Sequence, residues 1–319
     1  MTKNLRIIFM GTPDFATGVL KELIDTQHTV VGIVTAPDKP AGRGQQISKS
    51  AVKQYAEDSS IPILQPTNLK ETTFIEQLKQ LNADLFIVVA FRMLPEIVWA
   101  MPPKGTINLH ASLLPQYRGA APINWAIING EKKTGVTTFF IEREIDTGMI
   151  LAKEEVAISE DMTAGELHDI LLEIGKKLIV KSVALIEDGM FTKVPQHELQ
   201  FKELKPAPKI FKNDCAINWN QSASSIHDFI RGLSPYPTAW TTFQFEKKKQ
   251  QNTVKLFRTK KTTITTNSTV RELLISKTEI LIPCADFYLE VLELQVAGKK
   301  KMTAKEFISG YQNEKITLF

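Results

Sequence analysis

Apolar and polar positions follow two periods along roughly the first 200 residues. Apolar runs at 5–10, 29–35, 61–64 and 84–91 have the length of strands, and the run at 84–91 is typical of a strand buried on both faces of a sheet. After the first run, apolar residues recur at helical spacing at Phe15, Val19, Leu20 and Leu23. This alternation predicts an α/β fold: a Rossmann-like open sheet with helices on both faces.

Two further strands are predicted at 106–109 and 136–140, and a long helix at 163–188. In open sheets of this type, ligands bind beyond the carboxyl ends of the strands. The loops that follow these strands are therefore the first places where functional residues are expected.

The pattern changes in the last third of the chain. A short helix is predicted at 222–233, followed by β-rich segments at 241–246, 253–259, 279–283 and 287–296. Several short strands joined by polar turns predict a small OB-like β-barrel. The stretch between the helix predicted at 163–188 and the helix predicted at 222–233 has no clear period and contains Pro195, Pro206 and Pro208. We therefore expect an α/β domain at 1–190, a linker at 191–208 and a β-barrel domain at 209–319.

Length and composition narrow the class of protein. A chain of 319 residues is long enough for two domains. No apolar run reaches the roughly 18 residues that span a membrane, and the first residues lack the pattern of a signal or transit peptide. The two cysteines, Cys215 and Cys284, lie far apart without a metal-ligand spacing. A cytoplasmic protein without disulfides is expected.

The net charge of +4 conceals an asymmetry. Residues 1–205 hold 22 Lys and Arg against 25 Asp and Glu, a balance of −3. Residues 206–319 hold 17 against 10, a balance of +7. The basic part fits a surface that contacts phosphates, although a solvated basic face has the same composition.

The densest group of chemistry-bearing residues follows the strand predicted at 106–109. Asn108 and His110 are two apart, so on a strand they point to the same face while Leu109 turns into the core. Histidine is the side chain best suited to move protons near neutral pH. From spacing alone, a capping asparagine and a surface histidine remain an equal alternative.

Asp146 lies on a turn that follows the strand at 136–140 and is closed by Gly148. If the two strand ends are neighbours, its carboxylate would favour the imidazolium form of His110 and hold the ring in place. The sequence Asp-Thr-Gly is also an ordinary Asx turn, and the sequence leaves both interpretations open.

Other candidate sites are weak. His28, His168, His197 and His227 are scattered without ligand spacing, which predicts no metal site. Ser112 has no base at a suggestive spacing, so a catalytic triad is not indicated.

Longer motifs carry a resemblance that covers nearly the whole chain. They are FMGTPDF at 9–15, APDKPAGRG at 36–44, NLHASLLPQYRGAAP at 108–122, TGVT at 134–137, DTG at 146–148, INW at 217–219 and RGLSPYP at 231–237. Together they resemble the methionyl-tRNA formyltransferase family of the folate-dependent formyltransferase superfamily.

The resemblance implies transfer of a formyl group from 10-formyltetrahydrofolate to the α-amino group of methionyl initiator tRNA, which supplies N-formylmethionyl-tRNA for translation initiation. It implies direct attack by the amine, with Asn108, His110 and Asp146 as the catalytic residues. The folate would be held partly by Ser112, Leu113, Leu114, Pro115 and Phe91.

The same resemblance places tRNA contacts in the basic loop and the basic last third, and it implies a monomer. The residues expected to contact tRNA are Lys39, Gly42, Arg43, Gly44, Lys247, Lys248, Lys249, Lys299, Lys300 and Lys301.

Two segments depart from the pattern of the family. Residues 90–95 lack the usual glycine and are one residue shorter, which affects the expected contacts of Phe91. Asn218 stands where the family commonly has an aspartate.

Three alternatives are weighed against this interpretation. Glycinamide ribonucleotide formyltransferases normally lack such a second domain, and formyltransferases that modify aminoarabinose lack the loop at 36–44. A non-catalytic tRNA-binding or folate-binding protein would not need Asn108, His110 and Asp146 together.

Overall fold

The computed structural model describes residues 4–41, 46–247, 249–266, 271–311 and 314–318. The chain forms two compact units, each assembled from separate stretches. The first contains the chain up to Gly119, Thr134–Val156 and His168–Pro206, and the second contains Ala120–Lys133, Ala157–Leu167 and the chain from Ala207 onwards.

The first unit is built on a seven-stranded sheet. Its strands and those of a small hairpin are β1 (Arg6–Gly11), β2 (Thr29–Val34), β3 (Lys39–Ala41), β4 (Gln46–Ser48), β5 (Ile63–Leu64), β6 (Leu85–Val89), β7 (Thr106–His110), β8 (Lys133–Phe140) and β9 (Ile150–Ala157). The order in the sheet is β5-β2-β1-β6-β7-β8-β9, while β3 and β4 form the separate hairpin. The first five strands of that order are parallel, and β8 runs antiparallel to β7.

The helices of the chain follow the expected alternation. They are α1 (Asp14–Ile24), α2 (Ala51–Ala56), α3 (Thr72–Gln80), α4 (Glu96–Trp99), α5 (Pro122–Ile128), α6 (Ala164–Asp188), α7 (Ala223–Gly232) and α8 (Ala304–Gly310). The predicted α/β fold class is thus confirmed, with an antiparallel strand added to an otherwise parallel sheet, which is a common variation.

Burial explains why the apolar pattern found the central strands. All five residues of β6 are buried, as the continuous apolar run predicts. On α1, the buried positions are Phe15, Ala16, Val19, Leu20 and Leu23, which form the predicted apolar face. At the start of α6, Thr163 and Glu166 cap each other: the Thr163 backbone N–H donates to Glu166 Oε2, and the Glu166 backbone N–H donates to Thr163 Oγ1.

The second unit contains an antiparallel half-barrel, as predicted for the last third. Its strands are β10 (Ala239–Phe245), β11 (Gln250–Thr265), β12 (Leu274–Ile275), β13 (Ile280–Pro283), β14 (Phe287–Val296), β15 (Met302–Thr303) and β16 (Ile316–Leu318). Their order is β12-β13-β14-β11-β10-β16, with β15 beside β14. Fully buried aromatic side chains, Phe243, Phe245 and Phe307, fill its core. Strand β11 extends beyond the predicted 253–259 at both ends. The prediction missed these ends because they are exposed and mostly polar.

The segment expected to be a linker, 191–208, belongs to the first unit as far as Pro206. Val194 pairs with Ile150 of β9 through two backbone hydrogen bonds, and a short 3-10 turn follows at Gln196–Glu198. Gln196 is only 3% exposed. The segment lacks periodicity because it packs through backbone bonds, the polar Gln196 and isolated apolar side chains such as Val194 and Leu199, which contact a small core cluster.

None of the helices in the described ranges is long and apolar enough to cross a membrane.

Candidate active site

The candidate site lies at the carboxyl ends of the central parallel strands. Gly11 of β1 is level with Val89 of β6, and Val89 is level with Leu109 of β7. His110 follows as the last residue of β7, so it reaches the edge where open sheets bind their ligands. Leu109 is buried, and the half-buried Asn108 shares a face with His110, as predicted.

His110 and Asp146 come together, which is one of the two arrangements that the sequence left open. Nδ1 of His110 lies 3.8 Å from Oδ2 of Asp146, and the side chains are 8% and 16% exposed. This separation exceeds a hydrogen bond, so the two groups interact electrostatically. Both side chains are largely shielded from water, so a charge on the ring would lie close to the carboxylate with little solvent between them.

The other ring nitrogen identifies the form of the histidine. Nε2 lies 2.8 Å from the Tyr117 carbonyl oxygen. A carbonyl oxygen only accepts hydrogen bonds, so Nε2 carries the hydrogen and donates a hydrogen bond to the Tyr117 carbonyl. In the neutral ring, Nδ1 is therefore the nitrogen with the free lone pair, and it faces Asp146.

The turn that carries Asp146 has an unusual backbone. Asp146 has a φ of +55°, in the left-handed region, and Oδ2 accepts a hydrogen bond of 2.9 Å from the Gly119 backbone N–H. Two residues later, a Cβ added to Gly148 would lie 1.7 Å from the Phe140 carbonyl oxygen. Gly148 is required there because no side chain fits.

Asn108 completes the expected trio. It lies on β7 level with Val88 of β6, and its side chain forms no hydrogen bond with the described ranges of the chain. Its amide is half-buried, so an N–H group is available for a bound ligand.

The expected folate-binding loop is held from β8. Ser112, Leu114 and Pro115 are buried, and Leu113 is half-buried. Thr137 Oγ1 donates to the Ser112 carbonyl at 2.6 Å and accepts from the Leu114 backbone N–H at 3.1 Å. The loop is therefore fixed by a strand, with Leu113 at its partly open side.

Phe91 is half-buried just beyond the end of β6. The residue before it, Ala90, has a φ of +47°. The Arg92 guanidinium lies 5.7 Å from the Phe91 ring centroid and donates to the Thr67 and Pro66 carbonyls. These contacts hold the atypical segment in place without the usual glycine.

Two residues at this site are not indicated as functional by the sequence. The guanidinium of Arg118 donates from Nε and Nη2 to Gln196 Oε1, at 3.0 and 2.6 Å. Gln196 Nε2 in turn donates to the Asp146 and Gly148 carbonyls, at 2.9 and 2.8 Å. Arg118 lies in a recognised motif, but Gln196 lies in a stretch where no period or motif marks it.

The basic loop is described only at its two ends. Lys39 is exposed on β3, whereas the predicted contacts Gly42, Arg43 and Gly44 lie outside the described residues. At its base, Asp38 bonds to Lys53 at 2.6 Å and to Gln65 at 2.8 Å. The hydrogen bond from Lys53 holds the pKa of the Asp38 carboxyl below its usual range.

In the second unit, described lysines of the two triplets lie on turns at the same end of the sheet. The turn between β10 and β11 carries Lys247 and Lys249, and the turn between β14 and β15 carries Lys299 and Lys300. Strand β11 pairs with both β10 and β14 and runs antiparallel to β14, with Val254 opposite Val296. The turn that precedes β11 and the turn that follows β14 therefore lie at the same end of the sheet. Lys248 lies outside the described residues.

These lysines differ from other basic residues of the unit in their ion pairing. Lys301 lies 2.8 Å from Glu293, and Lys261 and Arg258 pair with Glu160 and Glu166. Lys247, Lys249, Lys299 and Lys300 form no ion pair with the part of the chain that the structure describes. Their charge is thus available to a ligand.

No cluster of three or more metal-ligating side chains occurs within the described ranges. Cys215 and Cys284 are buried free thiols in the core of the second unit. Burial raises the pKa of Cys284 to about 12.

Solved structures share this fold at low sequence identity. HypX from Aquifex aeolicus in complex with tetrahydrofolic acid matches 98% of this chain and 48% of its own, with a TM-score of 0.64 and 17% identity. WlaRD, a sugar 3N-formyl transferase, matches 93% of this chain and all of its own, with a TM-score of 0.62 and 19% identity.

Sequence comparisons are far closer. The methionyl-tRNA formyltransferase of Parabacteroides distasonis is 49% identical over 314 residues, covering 97% of both chains. That of Flavobacterium johnsoniae is 48% identical over 308 residues, covering 97% of this chain and 96% of its own. The family model for formyl transferases matches residues 4–183, and the model for the formyl transferase C-terminal domain matches residues 209–312. This chain therefore belongs to the methionyl-tRNA formyltransferase family.

Proposed function

We propose that this protein transfers the formyl group of 10-formyltetrahydrofolate to the α-amino group of methionyl initiator tRNA, with Asn108, His110 and Asp146 as the catalytic residues. The observation that carries the proposal is the buried His110–Asp146 pair at the carboxyl end of β7, next to the free amide of Asn108. Family membership supplies the substrates.

The reaction needs hydrogen-bond donors more than a nucleophile on the enzyme. When the amine attacks the formyl carbon, the formyl oxygen takes on negative charge, and preplaced donors stabilise that charge. The Asn108 amide donates one such bond. Once protonated, His110 donates a second from Nδ1. The attacking group belongs to the substrate, which explains why no activated serine or cysteine is needed.

His110 also handles the proton that the amine loses. Since Nε2–H is engaged with the Tyr117 carbonyl, Nδ1 is the nitrogen that accepts this proton. The resulting imidazolium is stabilised by Asp146, 3.8 Å away. The proton then passes to the nitrogen that leaves the formyl carbon as its C–N bond breaks, so the ring returns to its neutral form.

The donor fits the residues on the first unit. Phe91 and Leu113 are half-buried apolar side chains that offer a surface for a flat ring, while Thr137 fixes the shape of the loop formed by Ser112, Leu113, Leu114 and Pro115. The formyl-folate supplies the transferred carbon, and these side chains hold it near His110.

Binding of the tRNA is assigned to the basic groups. Lys247, Lys249, Lys299 and Lys300 lie on turns at one end of a sheet without ion-pair partners in the described ranges, which suits phosphate contacts. Lys39 and the loop containing Gly42, Arg43 and Gly44 would contact the acceptor stem. Lys248 and Lys301 belong to the same proposed surface, and the ion pair of Lys301 with Glu293 reduces the charge that Lys301 offers.

The proposal includes a monomer that acts in the cytoplasm. Two buried thiols without a disulfide suit a reducing compartment. Light scattering at micromolar concentration would measure the mass, for which 35.9 kDa is expected.

An acceptor panel tests the function. The protein is incubated with formyl-folate and, separately, methionyl initiator tRNA, glycinamide ribonucleotide or an amino-sugar nucleotide, and formylated product is quantified. We expect product with methionyl-tRNA alone. Product with only a small-molecule acceptor would overturn the proposal.

A further inference from the structure

Gln196 uses all of its side-chain hydrogen-bonding groups on the turn that carries Asp146 and on Arg118. Both N–H groups of its amide point to that turn, one to the Asp146 carbonyl and one to the Gly148 carbonyl. Its oxygen accepts two hydrogen bonds from Arg118. A side chain that is 3% exposed and fully bonded has one orientation, so it can hold the backbone of the turn in place.

The turn needs such support. Asp146 adopts a left-handed φ of +55°, a conformation that is uncommon for residues with a Cβ, although aspartate tolerates it better than most. Residues 142–145 of the same loop are exposed. The loop itself therefore offers little packing to keep the carboxylate beside His110.

Three successive residues connect Gln196 with both members of the pair. Tyr117 accepts the hydrogen bond from His110, Arg118 donates to Gln196, and Gly119 donates to the Asp146 carboxylate. Both ring and carboxylate are thus held from residues 117–119, and Gln196 closes the connection from the other side of the turn.

We propose that Gln196 is a positioning residue for formyl transfer: it holds the Asp146 turn so that the carboxylate stays next to Nδ1 of His110. This inference rests on the proposed roles of His110 and Asp146. Gln196 acts through Asp146 and contacts no substrate.

The position predicts a defined kinetic effect. Gln196→Met keeps the volume of the side chain and removes its hydrogen bonds. We expect kcat to fall about 10- to 100-fold, because a displacement of about 1 Å at a reacting group can cost that much. The KM values for formyl-folate and methionyl-tRNA should stay near those of the wild type.

A second variant covers the case in which Gln196→Met does not fold. Gln196→Glu retains an acceptor for Arg118, and an ionised carboxylate cannot donate to the two carbonyls. It should show the same loss of kcat. Ser182→Ala is the matched control, since Ser182 is a buried hydrogen-bonded residue of α6 that contacts Thr138 and Leu178 instead of the Asp146 turn. It should lower thermal stability and leave kcat unchanged.

A double-mutant cycle with Asp146→Ala decides how Gln196 acts. If Gln196 works through Asp146, Gln196→Met should cause no further loss of kcat in the Asp146→Ala background. A full additive loss there, or wild-type kcat in a folded Gln196→Met variant, would overturn the inference. A wild-type protein that formylates no methionyl-tRNA would instead overturn the proposed function, so the two failures are distinguishable.

Discussion

At the scale of single residues, the chemistry depends on which nitrogen of His110 is free. The sequence places a histidine two residues after an asparagine and goes no further. The Tyr117 carbonyl then engages Nε2–H, which leaves Nδ1 between the space in front of Asn108 and the carboxylate of Asp146. In the proposed mechanism, this arrangement makes Nδ1 the atom that transfers the proton, while the Asn108 amide donates throughout.

Asn108 should therefore affect turnover and leave folding intact. Its amide forms no hydrogen bond with the described ranges, so Asn108→Ala removes no internal bond. Loss of one oxyanion donor typically lowers kcat by about 10²- to 10³-fold. Steady-state formylation assays check this, with thermal unfolding as a control for folding. A folded variant with wild-type kcat would remove Asn108 from the mechanism.

Cys284 gives a residue-scale prediction for stability. Burial raises its pKa to about 12 from an ordinary value of 9.0, so the folded protein keeps the thiol neutral where the unfolded chain ionises it. Its contribution to the free energy of unfolding is complete below pH 9 and is lost as pH rises toward 12. Above pH 9, we expect the free energy of unfolding of the wild type to fall relative to that of Cys284→Ala by about 1 kcal/mol per pH unit.

Urea unfolding of both proteins at pH 8 and pH 10 measures the shift. The comparison with Cys284→Ala cancels the titration of lysines and tyrosines common to both. A stability difference that stays constant between the two pH values would contradict the assignment.

At the scale of elements, the turn after β8 is the least tolerant segment of the site. Gly148 has no room for a Cβ, because the Phe140 carbonyl oxygen would lie 1.7 Å from it. The turn also carries Asp146 and is bonded to Gln196. A local change of this backbone would therefore displace the Asp146 carboxylate directly.

Gly148→Ala should displace this turn and reduce both stability and kcat. The expected loss of kcat is about 10²-fold, by the same displacement reasoning as for Gln196. Gly310→Ala is the matched control, because nothing lies within 4 Å of its added Cβ and it ends a helix of the second unit. Activity and melting temperature measured together check the pair. Equal activity of the two variants would show that the turn is not coupled to catalysis.

The predictability of each element follows from how it is buried. Strand β6 and helix α1 are predictable from the sequence because their burial is apolar and periodic. Short elements such as α5 and the β3–β4 hairpin escape prediction, since seven and three residues are too few to establish a period. The approach of Asp146 to His110 is one of two alternatives that the sequence allows, because only the tertiary fold brings the strand ends together. The position of Gln196 cannot be predicted from the sequence, because a buried amide that donates to backbone carbonyls leaves no pattern in the sequence.

At the scale of the whole molecule, the charge asymmetry is refined by ion pairing. The excess of +7 in the last third is partly neutralised by acidic residues from outside it, since Lys261 and Arg258 pair with Glu160 and Glu166. The four lysines on the two neighbouring turns, which have no ion-pair partner among the described residues, remain as the concentrated source of positive charge. The chemistry-bearing trio lies in the first unit, so affinity and turnover should respond to different substitutions.

Lys299→Ala combined with Lys300→Ala should weaken tRNA binding and reduce its salt dependence. On a duplex stem, the loss of one phosphate contact makes the plot of the logarithm of the binding constant against the logarithm of the salt concentration less steep by about 0.9. Lys301→Ala provides the comparison within the same triplet, and it should have a smaller effect because Lys301 pairs with Glu293. Filter binding over a range of salt concentrations checks this. Identical slopes for the wild type and the double variant would exclude these lysines from the tRNA surface.

We infer that His110, oriented by Tyr117 and Asp146, performs the proton transfer of formylation. This role is tested most directly by the single-turnover rate of N-formylmethionyl-tRNA formation at saturating enzyme and formyl-folate, for wild type and His110→Ala. Loss of both a proton acceptor and a donor predicts a rate at least about 10²- to 10³-fold lower in a variant that folds and binds tRNA normally. A folded His110→Ala variant that forms product at the wild-type rate would contradict the account.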